Sequence, residues 1–386
     1  MMGSLVKEDL AVRFDAIEDP RIERGKKFPI EEILFLAIFG ALLGIESWRG
    51  LCLLGNERLE FLRLFFPFTN GIPSHQTLGR VFAILKPQSF EKFFMAWSGQ
   101  LNGSNSGRQI AFDGKALRGS FDTASAKKAL HILNACSVDN GITLAQLEVD
   151  VKTNEITVLP EMLAALDIAG AMVSVDALNT QKNIAEKIID AKADYTLALK
   201  GNHKNLNDES KFLFDTQKID TSTAADLHFE ETDKGHGRIT ERKYDVIKVD
   251  STNLPKGIEW KGLEAIGRVE TNSLRNGRET FESRYYLLSY YSAKAFAVAA
   301  RGHWGVENLL HWTLDVTFGE DASRKRKDNA PRNYSLIRKF ALNVLRQSKG
   351  NLSIPLAQIK ASANAEYLKT MLNQAGFAAQ TSNALV

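Results

Sequence analysis

Cysteine is scarce in this chain of 386 residues, which contains only two. Cys52 and Cys136 lie far apart, each in apolar surroundings. Small secreted proteins without a large core depend on several disulfides, and two isolated cysteines do not provide such a framework. The sequence therefore excludes a disulfide-stabilised secreted protein and predicts two buried thiols in a reducing cytoplasm.

The chain also has no hydrophobic stretch long enough to cross a membrane. Its most apolar run, residues 33–45, falls short of the roughly 20 residues that a membrane-spanning helix needs, and Glu31 and Glu32 precede it. A signal peptide is not expected, because Lys7 and Glu8 follow the start too closely. We therefore expect a cytoplasmic protein with no membrane partner, in which residues 33–45 form a buried helix.

A strong net charge is absent as well, since 49 Lys and Arg residues stand against 46 Asp and Glu residues, a balance of +3. The positive charge is unevenly distributed. From residue 291 onward there are 13 basic and 6 acidic residues, a local balance of +7, so the remaining chain carries −4. A basic C-terminal quarter favours a polyanionic partner such as nucleic acid, although a solvated basic tail would give the same count.

Hydrophobic periodicity divides the chain, which is long enough for two or three domains. Residues 1–101 predict a helical domain, and residues 102–108, rich in Gly, Asn and Ser, predict a linker. Residues 109–350 begin with three strands, a helix, a strand, a helix and a strand, which predicts a mixed α/β sheet with packed helices. A β-rich insertion is predicted at about 227–291, and residues 351–386 predict a C-terminal helical tail.

The helical N-terminal part allows two interpretations. Pro29 is placed to open a helix, and Ser74 is a good N-cap for the helix that follows it. Short helices joined by tight turns form either a DNA-reading module, with Gln76, Thr77 and Arg80 exposed, or a helical scaffold. The sequence favours neither.

Three carboxylates are candidates for catalysis. Two of the predicted strands, 109–113 and 171–175, end at Asp113 and Asp176, and ligands favour the carboxyl ends of strands in open α/β sheets. The third, Glu307, lies in a late helix. Carboxylate oxygens suit Mg²⁺ or Mn²⁺ better than zinc, and two such ions assist the cleavage of phosphodiesters.

A zinc site is the alternative for the late helix. His303, Glu307 and His311 are four residues apart and share one face of a helix. The pattern is not the HExxH motif, in which the two histidines are themselves four residues apart. A zinc site on this helix is therefore the weaker interpretation.

Five segments, in order, resemble the H-repeat-associated insertion-sequence transposases. They are AFDGKALRGS (111–120), VSVDALNTQ (173–181), DYTLALKGNH (194–203), DKGHGRITERKY (233–244) and RGHWGVENLLHWTLDVTFGED (301–321). The segments at 26–50 and 74–82 resemble the N-terminal domain associated with the same family. The resemblance covers nearly the whole chain.

The resemblance implies a ribonuclease-H-like mixed-sheet catalytic domain after the helical N-terminal domain. It also implies a DDE triad of Asp113, Asp176 and Glu307 that holds two Mg²⁺ or Mn²⁺ ions. The implied activity is cleavage of DNA strands at element ends, followed by transfer of the 3′-hydroxyl into target DNA. The implied partners are double-stranded DNA, as terminal inverted repeats and as target, and a second copy of the chain in a homodimer on DNA.

A domesticated or inactive copy that binds DNA without cutting it is the alternative function. The sequence also leaves open whether transposition proceeds by cut-and-paste or by copying. The candidate DNA contacts are Lys115, Arg118, Lys200, Arg301, His303, Trp304, His311, Arg324, Lys325, Arg326 and Lys327. Cations bind phosphates and tryptophans stack on unpaired bases, but a solvated turn or simple packing remains open for each.

Overall fold

The computed structural model describes residues 14, 16–121, 128–150, 154–216, 226–235, 237–249 and 259–379. The predictions for residues 1–13, for His236 in the insertion and for residues 380–386 of the tail lie outside these residues. Within the described part of the chain, no helix is both long and apolar enough to cross a membrane.

The N-terminal part is helical, as predicted. Helices α1–α5 are Ile30–Leu42, Trp48–Glu57, Leu59–Leu62, His75–Ile84 and Pro87–Asn102. The Ser74 hydroxyl accepts a hydrogen bond from the Thr77 amide at 3.3 Å, which caps α4 as the sequence indicated. The backbone leaves helical geometry at Arg58, so α2 and α3 are separate helices.

A nine-stranded mixed sheet forms the centre of the protein. Its strands are β1 (Gln109–Leu117), β2 (Leu130–Ser137), β3 (Ile142–Val149), β4 (Met172–Val175), β5 (Asp194–Leu199), β6 (His228–Gly235), β7 (Arg238–Lys248), β8 (Ala265–Arg275) and β9 (Arg278–Leu288). Their order is 3-2-1-4-5-9-8-7-6. β1, β4 and β5 are parallel neighbours, while the other pairs are antiparallel.

The first five strands confirm the predicted ribonuclease-H-like α/β fold. Helices α6 (Glu155–Ala165) and α7 (Lys182–Asp190) connect the parallel strands, in the order that the sequence predicted. The chain then forms α8 (Lys204–Thr216) before the insertion. The β-rich insertion is not a separate layer, because β9 pairs with β5 and the insertion strands extend the same sheet.

Strand β1 is longer than predicted. The sequence predicts its end at Asp113, but the strand continues to Leu117. Beyond Phe112 it loses its neighbour on one side, because β4 stops at Val175, yet it stays paired with β2 as far as Leu117 and Leu130. Asp113 therefore lies where the parallel pairing ends and not where the strand ends.

The remaining helices are α9 (Ala293–Val306), α10 (Thr313–Val316), α11 (Ala330–Ser348), α12 (Ile354–Ala363) and α13 (Ala365–Gln374). Helix α9 packs closely against the sheet at Gly302. A Cβ atom at this position would collide with the Gln109 side chain of β1. The Gln109 amide nitrogen donates to the Ala299 carbonyl at 2.7 Å and to the Ser174 hydroxyl at 2.8 Å. These buried hydrogen bonds attach α9 to β1 and β4.

Helix α11 joins the helical and the sheet-containing parts of the protein. It packs against α1, α4, α5 and β3, and one continuous cluster of buried apolar side chains includes members from all these elements. At its centre the Trp97 and Phe340 rings are stacked, with centroids 3.6 Å apart and planes inclined by 11°. The helical and sheet-containing parts thus share one core.

We expect Phe340→Ala to lower the free energy of unfolding by about 3–5 kcal/mol, because it opens a cavity in this shared core. Phe281→Ala is the matched control, since Phe281 is 68% exposed, and its cost should be within about 0.5 kcal/mol. Urea denaturation followed by circular dichroism measures both. Equal effects of the two substitutions would contradict a shared core centred on Phe340.

Candidate active site

Asp113 and Asp176 lie side by side. The parallel register pairs Phe112 of β1 with Val175 of β4. The next residue in each case is an aspartate, Asp113 within β1 and Asp176 directly after β4. The Asp176 carboxylate accepts hydrogen bonds from the backbone and the side-chain nitrogen of Asn179, both at 3.0 Å. The two aspartates, which the sequence analysis placed at strand ends, are thus neighbours where the parallel pairing of β1 and β4 ends.

Glu307 reaches the same place from the other end of the chain. His311 Nδ1 lies 3.4 Å from an Asp113 carboxylate oxygen and 3.5 Å from a Glu307 carboxylate oxygen. Asp113, Glu307 and His311 each offer one ligand atom, and these atoms lie within 4.8 Å of one another. Residues almost 200 positions apart in the sequence thus converge on one site.

The segment that carries Glu307 is a π-helical turn, Glu307–Trp312, between α9 and α10. In this wider turn, backbone carbonyl oxygens accept hydrogen bonds from side chains outside the helix. The Lys115 ammonium lies 3.5 Å from the His311 carbonyl, and the Arg346 guanidinium donates to the Leu309 carbonyl. π-Helical turns within α-helices occur frequently at functional sites, and this one is held in place from two sides.

The electrostatics of the site call for a cation. Burial, together with the neighbouring carboxylates of Asp176, Glu155 and Glu307, raises the pKa of Asp113 to about 7. Burial also raises the pKa of Asp176. The nearby imidazole does not balance this charge, because burial and the Lys115 ammonium lower the pKa of His311 to about 4 and keep it neutral.

Glu155, which the sequence analysis missed, lies directly against the site. Its carboxylate bonds to His131 Nε2 at 2.7 Å and accepts from the Asn179 amide at 2.6 Å. Burial alone would raise the pKa of Glu155, but these hydrogen bonds lower it and hold it below its usual value. A Cβ at Gly114 would collide with this carboxylate, so the residue after Asp113 must be small. Glu155 therefore positions Asn179, which in turn holds Asp176.

Five predicted DNA contacts are exposed, and within the described residues four of them lack the short ion pairs that hold Arg301. These four are Arg118, Lys200, Arg324 and Lys327. The Arg118 side chain is 84% exposed and lies 3.6 Å from Asp321. Exposed cations can meet a phosphate backbone without losing buried interactions.

Besides His311, which is buried beside Asp113 and Glu307, three other predicted contacts are enclosed by the fold, which corrects the expectation for them. Lys115 is 9% exposed and forms ion pairs with Asp315 and Glu320. Lys325 is equally buried, above the Tyr334 ring and 3.7 Å from a Glu46 oxygen. Cations held by carboxylates away from solvent are not free to bind phosphate.

The third corrected residue is His303. Its Nδ1 lies 3.2 Å from the Ser174 hydroxyl of β4, and burial lowers its pKa to about 4. It is therefore a neutral packing residue between α9 and the sheet. Within the described residues, the metal-compatible group contains Glu307 and His311 together with Asp113, and not His303, so the three residues of the late helix do not by themselves form the alternative site.

The remaining predicted contacts have protein partners at their present positions. Arg301 pairs with Glu231 and Asp233 of β6 at 2.8 and 2.9 Å. Arg326 donates to the Gly119 carbonyl at 3.0 Å. The Arg284 guanidinium lies 4.3 Å from the centroid of the Trp304 ring.

The basic run 324–327 and the N-terminal helix α4 form one groove. Gln76 and Arg80 of α4 line a cavity of about 560 Å³ together with Arg324 and Lys327. All four of these residues are exposed. Helix α4 thus contributes both to a basic groove and, through its apolar side, to the scaffold.

We expect Asp113→Asn to raise the melting temperature in metal-free buffer at pH 8. The pKa of Asp113 is raised in the folded state, so its contribution to stability is present below about pH 4 and is lost as the pH rises through 7. The gain should therefore be larger at pH 8 than at pH 5. Added Mn²⁺ should stabilise the wild type but not the variant, because a ligand bound to the folded state raises its stability.

Differential scanning calorimetry with and without Mn²⁺ provides this measurement. Asp208→Asn, at an exposed position of α8, is the matched control and should respond to Mn²⁺ as the wild type does. An equal Mn²⁺ response in Asp113→Asn and in the wild type would show that Asp113 does not bind the metal.

Comparison with known proteins places the chain in a family. Residues 104–344 match the family described as Transposase DDE domain, and residues 11–98 match its DDE_Tnp_1-associated domain. The chain is 38% identical over 344 residues to "Putative transposase YncI" of Escherichia coli O157:H7, covering 86% of each. It is 34% identical over 353 residues to "H repeat-associated putative transposase YhhI" of Escherichia coli (strain K12), covering 90% of this chain and 93% of the relative.

Among solved structures, a piggyBac transposase synaptic complex with hairpin DNA aligns at a TM-score of 0.39 with 11% identity, covering 95% of this chain and 78% of that one. A likeness of this size carries no functional inference. The family assignment rests instead on the matched domains and on the relatives at 34–38% identity. The chain belongs to the H-repeat-associated family of DDE transposases.

Proposed function

We propose that the protein cleaves DNA strands at the ends of an insertion sequence and joins the freed 3′-hydroxyl to target DNA. The observation that carries this proposal is the convergence of Asp113, Asp176 and Glu307 on one partly open site. In this proposal the three carboxylates are the DDE triad. Two DNA ends are brought together by a homodimer.

The donor set fits divalent cations. Burial and three neighbouring carboxylates raise the pKa of Asp113, and a bound cation would relieve the repulsion among these carboxylates. Carboxylate oxygens favour Mg²⁺ or Mn²⁺, and Asp113, Asp176 and Glu307 are the residues that would hold two such ions. Two such ions supply hydroxide at neutral pH and stabilise the attacking and leaving oxygens of the phosphodiester.

Other side chains hold this triad in position. Asn179 fixes the Asp176 carboxylate, and Glu155 fixes Asn179. Lys115 contacts the His311 carbonyl and the Asp315 carboxylate, so it holds the π-helical turn against β1. His311 is a positioning residue between Asp113 and Glu307, and its neutral nitrogen could also serve as a metal ligand.

The thiol chemistry of the chain is consistent with direct hydrolysis. The Cys52 thiol donates to the Pro73 carbonyl at 3.2 Å, and Cys136 is fully buried, which raises its thiol pKa to about 11. Neither is activated as a nucleophile. The two-ion mechanism needs no covalent enzyme intermediate.

The DNA path runs past the exposed cations near the site. Lys200 follows β5, Arg118 follows β1, and Arg324 and Lys327 line the groove beside α4. The inactive-copy alternative requires no triad, whereas this chain keeps all three carboxylates and the groups that position them. We therefore favour an active enzyme.

We expect the wild type to nick a duplex carrying the repeats that flank its coding sequence, in the presence of Mg²⁺ but not of EDTA. Asp113→Ala should reduce the nicking rate by about 10³-fold or more, the scale of several kcal/mol of transition-state stabilisation. DNA binding measured by fluorescence anisotropy should remain, because Asp113 makes no contact with phosphate in the absence of the metal. Denaturing gel electrophoresis measures the nicking rate.

Asp208→Ala is the control and should cut as the wild type does. Cutting that survives Asp113→Ala would refute the triad. A wild type that binds the duplex but never cuts it with Mg²⁺ or Mn²⁺ would support the inactive copy instead.

A further inference from the structure

The outer half of the sheet extension carries a second basic surface, away from the basic run that the sequence revealed. Strands β7, β8 and β9 point alternate side chains toward one face, where they line a cavity of about 880 Å³ together with Trp304. Five arginines on this face define what we call the arginine face. They are Arg238, Arg242, Arg275, Arg278 and Arg284.

Three of these arginines stand in one row across the strands. Arg238 is directly opposite Arg275, and Arg275 is directly opposite Arg278. The hairpin between the last two turns through Asn276 and Gly277, both with positive φ (50° and 75°), which pins this register. Like charges directly opposite each other destabilise a sheet by about 0.2–1 kcal/mol per pair. The row is therefore unfavourable unless a polyanion neutralises it.

No carboxylate lies within ion-pair distance of Arg238, Arg275 or Arg278 among the residues that the structure describes, and all three side chains are exposed. Arg242 and Arg284 differ, since they pair with Asp233 and Glu282 at 2.6 and 2.7 Å. Positive charge without a counter-charge is thus concentrated at the outer end of the face.

The row beside the arginines consists of hydroxyl side chains. Thr240, Ser273 and Thr280 are aligned across the same three strands. Thr240 is buried and accepts a hydrogen bond from the Ser273 hydroxyl at 3.3 Å, so Thr280 is the exposed member of this row. Arginine and hydroxyl groups donate to phosphate oxygens and carry no information about base sequence. The opposite side of these strands is different, because it exposes the apolar residues Ile239, Leu274 and Phe281. The positive charge without a counter-charge therefore lies on one face of these strands and is not a general property of a solvated hairpin.

The arginine face is continuous with the active site. At its inner end the Arg284 guanidinium lies over Trp304, which precedes Glu307 by three residues, about one helical turn. From Arg284 to Arg278 the strand extends roughly 20 Å, at about 3.3 Å per residue. A distance of roughly 20 Å corresponds to about six base pairs, at 3.4 Å per step along a strand.

We propose that the arginine face binds the phosphate backbone of the same DNA duplex whose phosphate is cut at the active site, without reading its sequence. This inference rests on the proposed function, because it takes its ligand from the reaction. Charge complementarity and continuity with the triad select duplex DNA as the occupant.

The test replaces the unpaired row in the full-length protein, as Arg238→Gln/Arg275→Gln/Arg278→Gln. Affinity for an end-containing duplex is measured by anisotropy in EDTA, between 50 and 200 mM salt. The slope of log K against log salt is negative, and each lost phosphate contact reduces its magnitude by about 0.9. We therefore expect the magnitude of the slope to fall by about 2–3 and the affinity at 0.1 M salt to fall about tenfold or more. Arg24→Gln/Lys92→Gln/Lys360→Gln, at exposed positions of the helical part, removes the same charge and should change the slope by less than about 1.

Two further variants separate charge from folding. The matching triple Arg→Lys variant keeps the positive charges and should bind nearly as the wild type does. Without DNA, the triple Gln variant should melt at the same or a higher temperature, because repulsion within the row is removed. If the triple Gln variant fails to fold, Arg278→Gln alone should reduce the magnitude of the slope by about 0.9.

A triple Gln variant with the same slope as its control, or an unchanged slope in Arg278→Gln, would overturn the proposal. A loss confined to single-stranded DNA of the same length would overturn the assignment to a duplex. The assay needs no cutting, so its failure is distinct from that of the catalytic proposal. If Asp113→Ala abolishes nicking while the slopes stay equal, the triad stands and the arginine face does not.

Discussion

The repulsion between Asp113 and its neighbouring carboxylates is the constraint on which the rest of the site depends. Parallel pairing of β1 and β4 places Asp113 beside Asp176, while the π-helical turn brings in Glu307. Glu155 adds a fourth carboxylate nearby and keeps its charge through hydrogen bonds. Like charges held this closely favour either a proton on Asp113 or a bound cation, which makes the site suited to bind divalent metal.

The surrounding structure serves to hold this unfavourable arrangement in place. Hydrogen bonds from Gln109 attach α9 to the sheet, and Lys115 secures the π-helical turn against β1. Helix α11 then ties these elements to the N-terminal helices through a common core. The arginine face is a similar arrangement with the opposite charge. The sheet holds its cations in a row, and an anionic ligand would relieve the repulsion between them. Stability is given up locally at both places where we propose that ligands bind.

Local patterns in the sequence were sufficient for the succession of strands and helices and for the Ser74 cap, because each depends on neighbouring residues. A general rule for open α/β sheets identified Asp113 and Asp176 as candidates. The longer course of β1 could not be predicted, because it depends on pairing with β2 after β4 has ended. Glu155 gave no signal, since an acidic residue in the first turn of a helix is common. The arginine face was invisible because its members are scattered along three strands among hydroxyl, apolar and acidic residues, and only the register brings them together.

The most direct test of the account is to locate the metal. Crystals of the full-length protein with Mn²⁺ and a duplex carrying the flanking repeats would show the ions by their anomalous scattering. The account predicts peaks at about 2.2 Å, the usual coordination distance, from carboxylate oxygens of Asp113, Asp176 and Glu307. Manganese bound elsewhere, with these three carboxylates free of metal, would contradict it.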